Sequence, residues 1–279
     1  MTRRVTPWIA PLALSAFAAC GDDPVVGGPG DGGGPAPSDA GVPDASAPDL
    51  GRPDAGAVTR CEMPTPPICQ DEAARALSLR AEASDGRIVE EGSTPGELTY
   101  VDATGGGFMT TESYMYARFT PEGLVKVDLS DEEAFEDTRW DIAFRRYIIR
   151  LNGGVAGPSC VRGSRTPPGT TFDSVTTLDP ALVLQEEAYM TEGTCELVSD
   201  GSGLPNAPAT VVSSFWAYPG CVQMTGNVFV IELADGRAVK LEVLSYYDDP
   251  AKQEECQTTD AVTPPTGSAN LRLRWAFLD

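Results

Sequence analysis

Histidine is absent from this 279-residue sequence. That removes the base on which most serine and cysteine nucleophiles depend, and the imidazole that zinc sites commonly recruit. No C-x-x-C pair compensates, so neither a zinc site nor an activated nucleophile is expected. Cations are scarce, 20 Lys and Arg against 41 Asp and Glu, for a net charge of -21. A polyanion would need a basic face, so nucleic acid is excluded as a partner. Acidic neighbours such as Glu132/Glu133 and Asp248/Asp249 read as solvated surface in so acidic a chain, and no enzyme is expected. A membrane span is missing too: the N-terminal apolar stretch from Val5 to Phe17, interrupted by Pro7 and Pro11, falls short of the roughly 20 residues that cross a bilayer.

That stretch has the form of an export leader. Arg3 and Arg4 precede it and Phe17-Ala18-Ala19-Cys20 closes it as a lipobox, so residues 1–19 are expected to be a lipoprotein signal peptide and Cys20 a lipidated membrane anchor, on the outer membrane or cell surface of a bacterium. Residues 20–58 are built from Gly, Pro, Ala, Ser and Asp, with the recurring pieces Ser38-Asp39-Ala40-Gly41, Pro43-Asp44-Ala45-Ser46 and Pro53-Asp54-Ala55-Gly56. So little apolar surface cannot offset ordering entropy, and a disordered tether is expected. Residues 59–95 read as a short Cys-containing appendage and 96–279 as the main domain, long enough for a sizeable core.

Six cysteines remain after Cys20, an even number that in an exported chain reads as three disulfides out of fifteen possible pairings. Cys61 and Cys69 bracket a Pro-rich loop and are the nearest local pair. Taking Asp235-Gly236 as a two-residue hairpin turn would set Ile231 opposite Lys240 and bring Cys221 towards Cys256. Cys160 and Cys195 are left for each other.

Strand signals dominate after Gly96. Val228, Val230 and Glu232 alternate with Phe229, Ile231 and Leu233, and Leu271, Leu273, Trp275 and Phe277 alternate with Arg272, Arg274 and Ala276, the pattern of half-buried antiparallel strands. Further strands are expected at Ser113–Phe119, Gly123–Asp128 and Trp140–Arg150, the last with Trp140, Ile142 and Phe144 on one face. Helical signals are few: a capping-box form at Ser130–Glu133 and a helix from Gln70 to Ala83. The fold class is all-β, an antiparallel sandwich, with the Gly/Pro-rich loops 153–171 and 201–209 on its rim.

Three blocks recur in order: Trp140-Asp141-Ile142-Ala143-Phe144-Arg145 running to Asn152-Gly153-Gly154, then Asn227 to Asp248, then Ala269 to Phe277. They resemble the HmuY family of haem-binding bacterial surface lipoproteins. The resemblance implies a β-rich sandwich and haem acquisition, with haem presented to an outer-membrane receptor. Family members typically hold the iron between histidines, placed between the first block and the C-terminal hairpin. With no histidine here, the donors in those intervals are Met190 and Met224, with Tyr189 and Tyr218 as oxygen donors and Arg145 or Arg146 for a propionate. The plainer reading makes each methionine a filler of core gaps. The expected function is therefore a membrane-anchored, non-enzymatic haem or porphyrin binder. The alternative is a surface interaction or structural lipoprotein that keeps the scaffold and has lost haem.

Overall fold

The period-two apolar positions fold into antiparallel sheets in a computed structural model that describes residue 61 and residues 64–107 and 109–279. The predicted leader, Cys20 and the tether lie outside the described residues. In chain order the elements are α1 (Gln70–Ala76), β1 (Ile88–Glu90), β2 (Thr99–Asp102), β3 (Met115–Thr120), β4 (Gly123–Val127), β5 (Ile142–Arg145), β6 (Ile148–Leu151) and β7 (Arg162–Arg165). They continue with β8 (Trp216–Ala217), β9 (Gln223–Met224), β10 (Val228–Glu232), β11 (Ala238–Tyr247), α2 (Pro250–Thr259) and β12 (Ser268–Phe277). One sheet runs β1-β2-β12-β11-β10-β7, a second β4-β3-β5-β6, and β8-β9 form a small hairpin. The fold is thus mostly β and antiparallel.

The main core lies between the two larger sheets. Phe229, Ile231, Val239, Leu241, Leu271, Leu273 and Trp275 from one meet Met115, Phe119, Ile142, Phe144, Ile149 and Leu151 from the other, as two inner faces of a sandwich must. Behind the six-stranded sheet, Val228, Val230 and Ala238 are covered by Phe172 and Val175, so that face is drier than simple alternation suggests. Residues 64–95 are no separate appendage: β1 pairs with β2 in the large sheet, and α1 supplies Ala73 to a second buried cluster with Tyr114, Tyr116 and Trp140.

Several local expectations change. The stretch Trp140–Arg150 is a hairpin rather than one strand: Arg145 pairs with Ile148 as its last rung, so Arg146 and Tyr147 make the turn. Trp140 precedes β5 and packs in the second cluster, away from Ile142 and Phe144. The predicted helix from Gln70 stops at Ala76, because Ser78 turns to a left-handed φ of 51°. Ser130 and Glu133 do make the reciprocal capping bonds, at 2.8 Å and 3.2 Å, but they open a single 3-10 turn over Glu133–Phe135. The β10–β11 turn is longer than two residues and sets Ile231 opposite Val239 rather than Lys240, which keeps both apolar side chains on the core face.

The disulfides also differ. Cys61 bonds Cys160 and Cys69 bonds Cys195, with Cα atoms 5.6 Å and 5.4 Å apart, replacing the expected Cys61–Cys69 and Cys160–Cys195 pairs. The intervening Pro64, Pro66 and Pro67 favour extended backbone, which carries the two cysteines apart; the Thr65 N–H bonds Pro158 O at 3.1 Å and lays this segment along the loop that holds Cys160. Cys221 bonds Cys256 at a Cα separation of 5.9 Å, through α2 rather than through a facing strand. That helix went unread in the sequence although Asp249-Pro250 supplies its signal: the Asp249 side chain accepts the Ala251 N–H at 2.9 Å and Pro250 opens the first turn.

Candidate functional site

The β5–β6 hairpin places apolar side chains on one face and charged ones on the other. Asp131, fully buried, is the centre of the second face. Its Oδ1 accepts the Tyr116 hydroxyl at 2.7 Å and the Tyr114 N–H at 2.9 Å. Its Oδ2 accepts the Arg80 N–H at 2.7 Å and Arg145 Nη1 at 3.3 Å. Arg150, also buried, reaches within 3.9 Å of the same carboxylate and donates to the hydroxyls of Tyr116 at 2.9 Å and Tyr189 at 3.4 Å. Both guanidinium carbons lie about 4 Å over the Tyr114 ring, Arg145 at 4.1 Å and Arg150 at 4.0 Å. Burial pushes the Tyr116 phenol well up and the Tyr189 phenol to about 12, so both stay protonated at neutral pH. The network satisfies the Asp131 carboxylate inside a core, while the Tyr114 hydroxyl and Arg150 Nε lack a hydrogen-bond partner among the described residues.

The first block is structural in its other residues too. Asp141 accepts the Phe119 N–H at 2.9 Å, and burial raises its carboxyl to about 6. Asn152 donates to Trp140 O at 2.8 Å and accepts the Ser159 N–H at 3.1 Å. Gly154 adopts φ 59°, the left-handed turn conformation that Asn152-Gly153-Gly154 suggested.

The predicted haem donors are placed apart. Met190 is 3% exposed and packs in the second cluster, at the wall of a cavity of about 450 Å³ shared with Ile68, Val155, Glu186, Glu187 and Glu192. Met224 is half-buried in β9, opposite Trp216 and against the main core. Tyr189 is buried beside Arg150, whereas Tyr218 is exposed on a cavity of about 560 Å³ with Trp216, Asp200 and Gln223. Arg145 is buried and engaged by Asp131, and Arg146 sits at the hairpin turn with φ 54°. Sequence reasoning missed Asp131 and Arg150 as partners; their signal was an arginine inside an apolar strand with no acid nearer in sequence than Asp141.

The family model of the HmuY protein matches residues 110–259. The chain belongs to the HmuY family. The match takes in the first two sequence blocks, while Ala269–Phe277 lies beyond it. Among solved structures the chain is similar to a HmuY-like heme binding protein from Bacteroides vulgatus, at 16% identity over 64% of this chain and 89% of that one, with a TM-score of 0.38. A lipoprotein from Bacteroides fragilis shares 12% identity over 67% and 92%, with a TM-score of 0.38. An apo HmuY analogue from Tannerella forsythia shares 14% over 71% and 96%, with a TM-score of 0.35. A search of curated proteins found no match.

Haem, which membership of the HmuY family brings to mind, does not fit the donors present. Iron in a porphyrin needs axial ligands that converge on one slot. Here Met190 and Met224 belong to different clusters, and the six cysteines of the described residues are all in disulfides. Propionates favour nearby cations, yet the described residues lining the Met190 cavity include three glutamates and no Lys or Arg.

Proposed function

We propose that this chain is an exported, non-enzymatic HmuY-family binding protein that works from a lipid tether and does not ligate haem iron. The separation of Met190 from Met224 into two cores carries the reading, since no rotamer change brings side chains from opposite sides of a sheet onto one iron. Three disulfides fit an oxidising compartment, and Arg3-Arg4 with the Phe17–Cys20 lipobox supports lipid anchoring.

Haemin titration tests it, under oxidising and then dithionite-reduced conditions. The expected result is no saturable Soret shift in either state. A saturable shift weakened by both Met190→Ala and Met224→Ala would overturn the reading and restore the thioether site. Tethering is tested separately: Cys20→Ser should release the protein from membranes, and a variant that still sediments after a high-salt wash with its leader uncleaved would remove the lipid anchor.

A further inference from the structure

The period-two spacing of β8 carries past its end, so that Trp216 and Tyr218 fall together, with ring centroids 6.3 Å apart and planes at 81°. Both line the cavity of about 560 Å³ beside the β8–β9 hairpin, with Asp200, Ser213, Ser214 and Gln223. That volume lies within the roughly 300–1,000 Å³ of small-molecule sites. Tyr218 is 42% exposed and offers a ring to whatever enters, while Trp216 is buried and packed on Tyr147 at 5.1 Å.

The wall also holds polar capacity that the fold does not use up. The Trp216 indole N–H is buried and has no hydrogen-bond partner among the described residues, a costly state for a group that can only donate. Asp200 accepts the Ser202 N–H at 2.9 Å through Oδ1 and keeps further acceptor capacity in its carboxylate. Gln223 Nε2 donates to Cys256 O at 2.7 Å and to Asp260 Oδ1 at 2.9 Å. Those two bonds fix the side chain and leave its Oε1 to accept. Ser213 and Ser214 add hydroxyls that both donate and accept. The frame is stiff: Cys221–Cys256 ties the hairpin loop to α2, and the Asp200 N–H bonds Ala207 O at 3.0 Å, so a ligand would have little loose chain to order.

An aromatic ring, a donor in want of an acceptor and acceptors in want of donors call for a ligand with one apolar face and a rim of hydroxyls. A pyranose ring has that form. Its C–H bonds, slightly positive, pack against the negative face of an aromatic ring, and each hydroxyl donates and accepts. The Asp200 carboxylate takes such hydroxyls in charge-assisted hydrogen bonds and repels a phosphate or a second carboxylate. The geometry points to a neutral hexopyranose as the ligand of this cavity, stacked on Tyr218 with its hydroxyls held by Asp200 and Gln223. The cavity shares no described lining residue with the one beside Met190, so the proposal stands apart from the haem question.

The test is calorimetric titration of the folded protein with the methyl glycosides of glucose, galactose, mannose and N-acetylglucosamine. Choline chloride serves as a cationic probe, which an aromatic ring beside a carboxylate would also favour. Saturable binding of at least one glycoside, tighter than choline, is expected. Tyr218→Ala should weaken it by about tenfold or more, and Tyr218→Phe, which keeps the ring, by less than about threefold. Asp200→Asn removes the charge assistance and should also weaken it by about tenfold. Val183→Ala, at an exposed apolar side chain outside the cavity, should leave affinity unchanged. If Tyr218→Ala loses its native circular dichroism, Asp200→Asn decides in its place. No saturable binding of any glycoside, choline bound as tightly, equal loss in Val183→Ala or Tyr218→Phe, or wild-type affinity in folded Tyr218→Ala or Asp200→Asn would overturn the proposal.

Discussion

The two faces of the β4-β3-β5-β6 sheet are buried by different means. Facing β10–β12, Met115, Phe119, Ile142, Phe144, Ile149 and Leu151 pack against apolar side chains. On the far face, Tyr114, Tyr116, Arg145 and Arg150 surround Asp131. Adjacent residues of the same strands supply both, so one alternation builds a core that forgives volume-conserving exchange and another that depends on every hydrogen bond.

Crosslinks give the strongest way to break the contrast. Cys69–Cys195 packs against the polar cluster across 126 residues of sequence, Cys221–Cys256 in the apolar core across 35. With Cys61–Cys160 intact the first closes a loop of only about 43 residues, so loop entropy gives about 4 kcal/mol for each. Paired Cys→Ser variants compared by urea unfolding should show similar losses from loop entropy alone, and a clearly larger loss for Cys69/Cys195 would mean that the polar cluster depends on its staple for packing as well. Next, Asp131→Asn alters hardly any volume, yet it sets an amide among four hydrogen-bond donors; a loss of about 3–5 kcal/mol is expected. A midpoint close to wild type would show that the tyrosine hydroxyls hold Arg150, and the Leu77 and Glu112 carbonyls hold Arg145, without the carboxylate.

pH sharpens the comparison further. Burial pushes Glu187 to about 7, above the ordinary 4.5. Between those values the folded state keeps a proton that the unfolded state releases, so stability falls as pH rises from 4.5 to 7, by on the order of 3 kcal/mol. Glu187→Gln, neutral throughout, should flatten that decline in unfolding curves taken across the window; an unchanged slope would assign the titration elsewhere. The smallest effect belongs to the apolar face, where Ile149→Val should cost about 1 kcal/mol and leave the near-ultraviolet spectrum of the tyrosine cluster unaltered.

The apolar face was legible in the sequence because period two survives in Phe229–Leu233 and Leu271–Phe277 whatever they pack against. The far face was not. Its hairpin turns on Arg146-Tyr147, which carries none of the Gly or Asn that usually marks a turn, and so Trp140–Arg150 read as one strand. Asp131 lies 14 residues before Arg145, and only the tertiary fold brings them together. The methionines were placed by interval alone, which says nothing about which side of a sheet a side chain joins. HmuY membership was readable from whole blocks, since those positions are fixed by the scaffold; a ligand set is fixed by a few rim residues and can change while the scaffold stays.

The Cys61–Cys160 bridge has a mechanical meaning. A pull on the chain ahead of Cys61 is delivered by a covalent bond to the loop that follows β6, so α1 and β1 lie off the load path and cannot be peeled away residue by residue. Reduction of that one bond would reroute the force through 65–69 to the next staple at Cys69–Cys195, with the short Thr65–Pro158 contact yielding first. The two bridges thus act in series as a strain relief, so that a pull from the N-terminal side leaves the hairpin tip and its two arginines undisturbed.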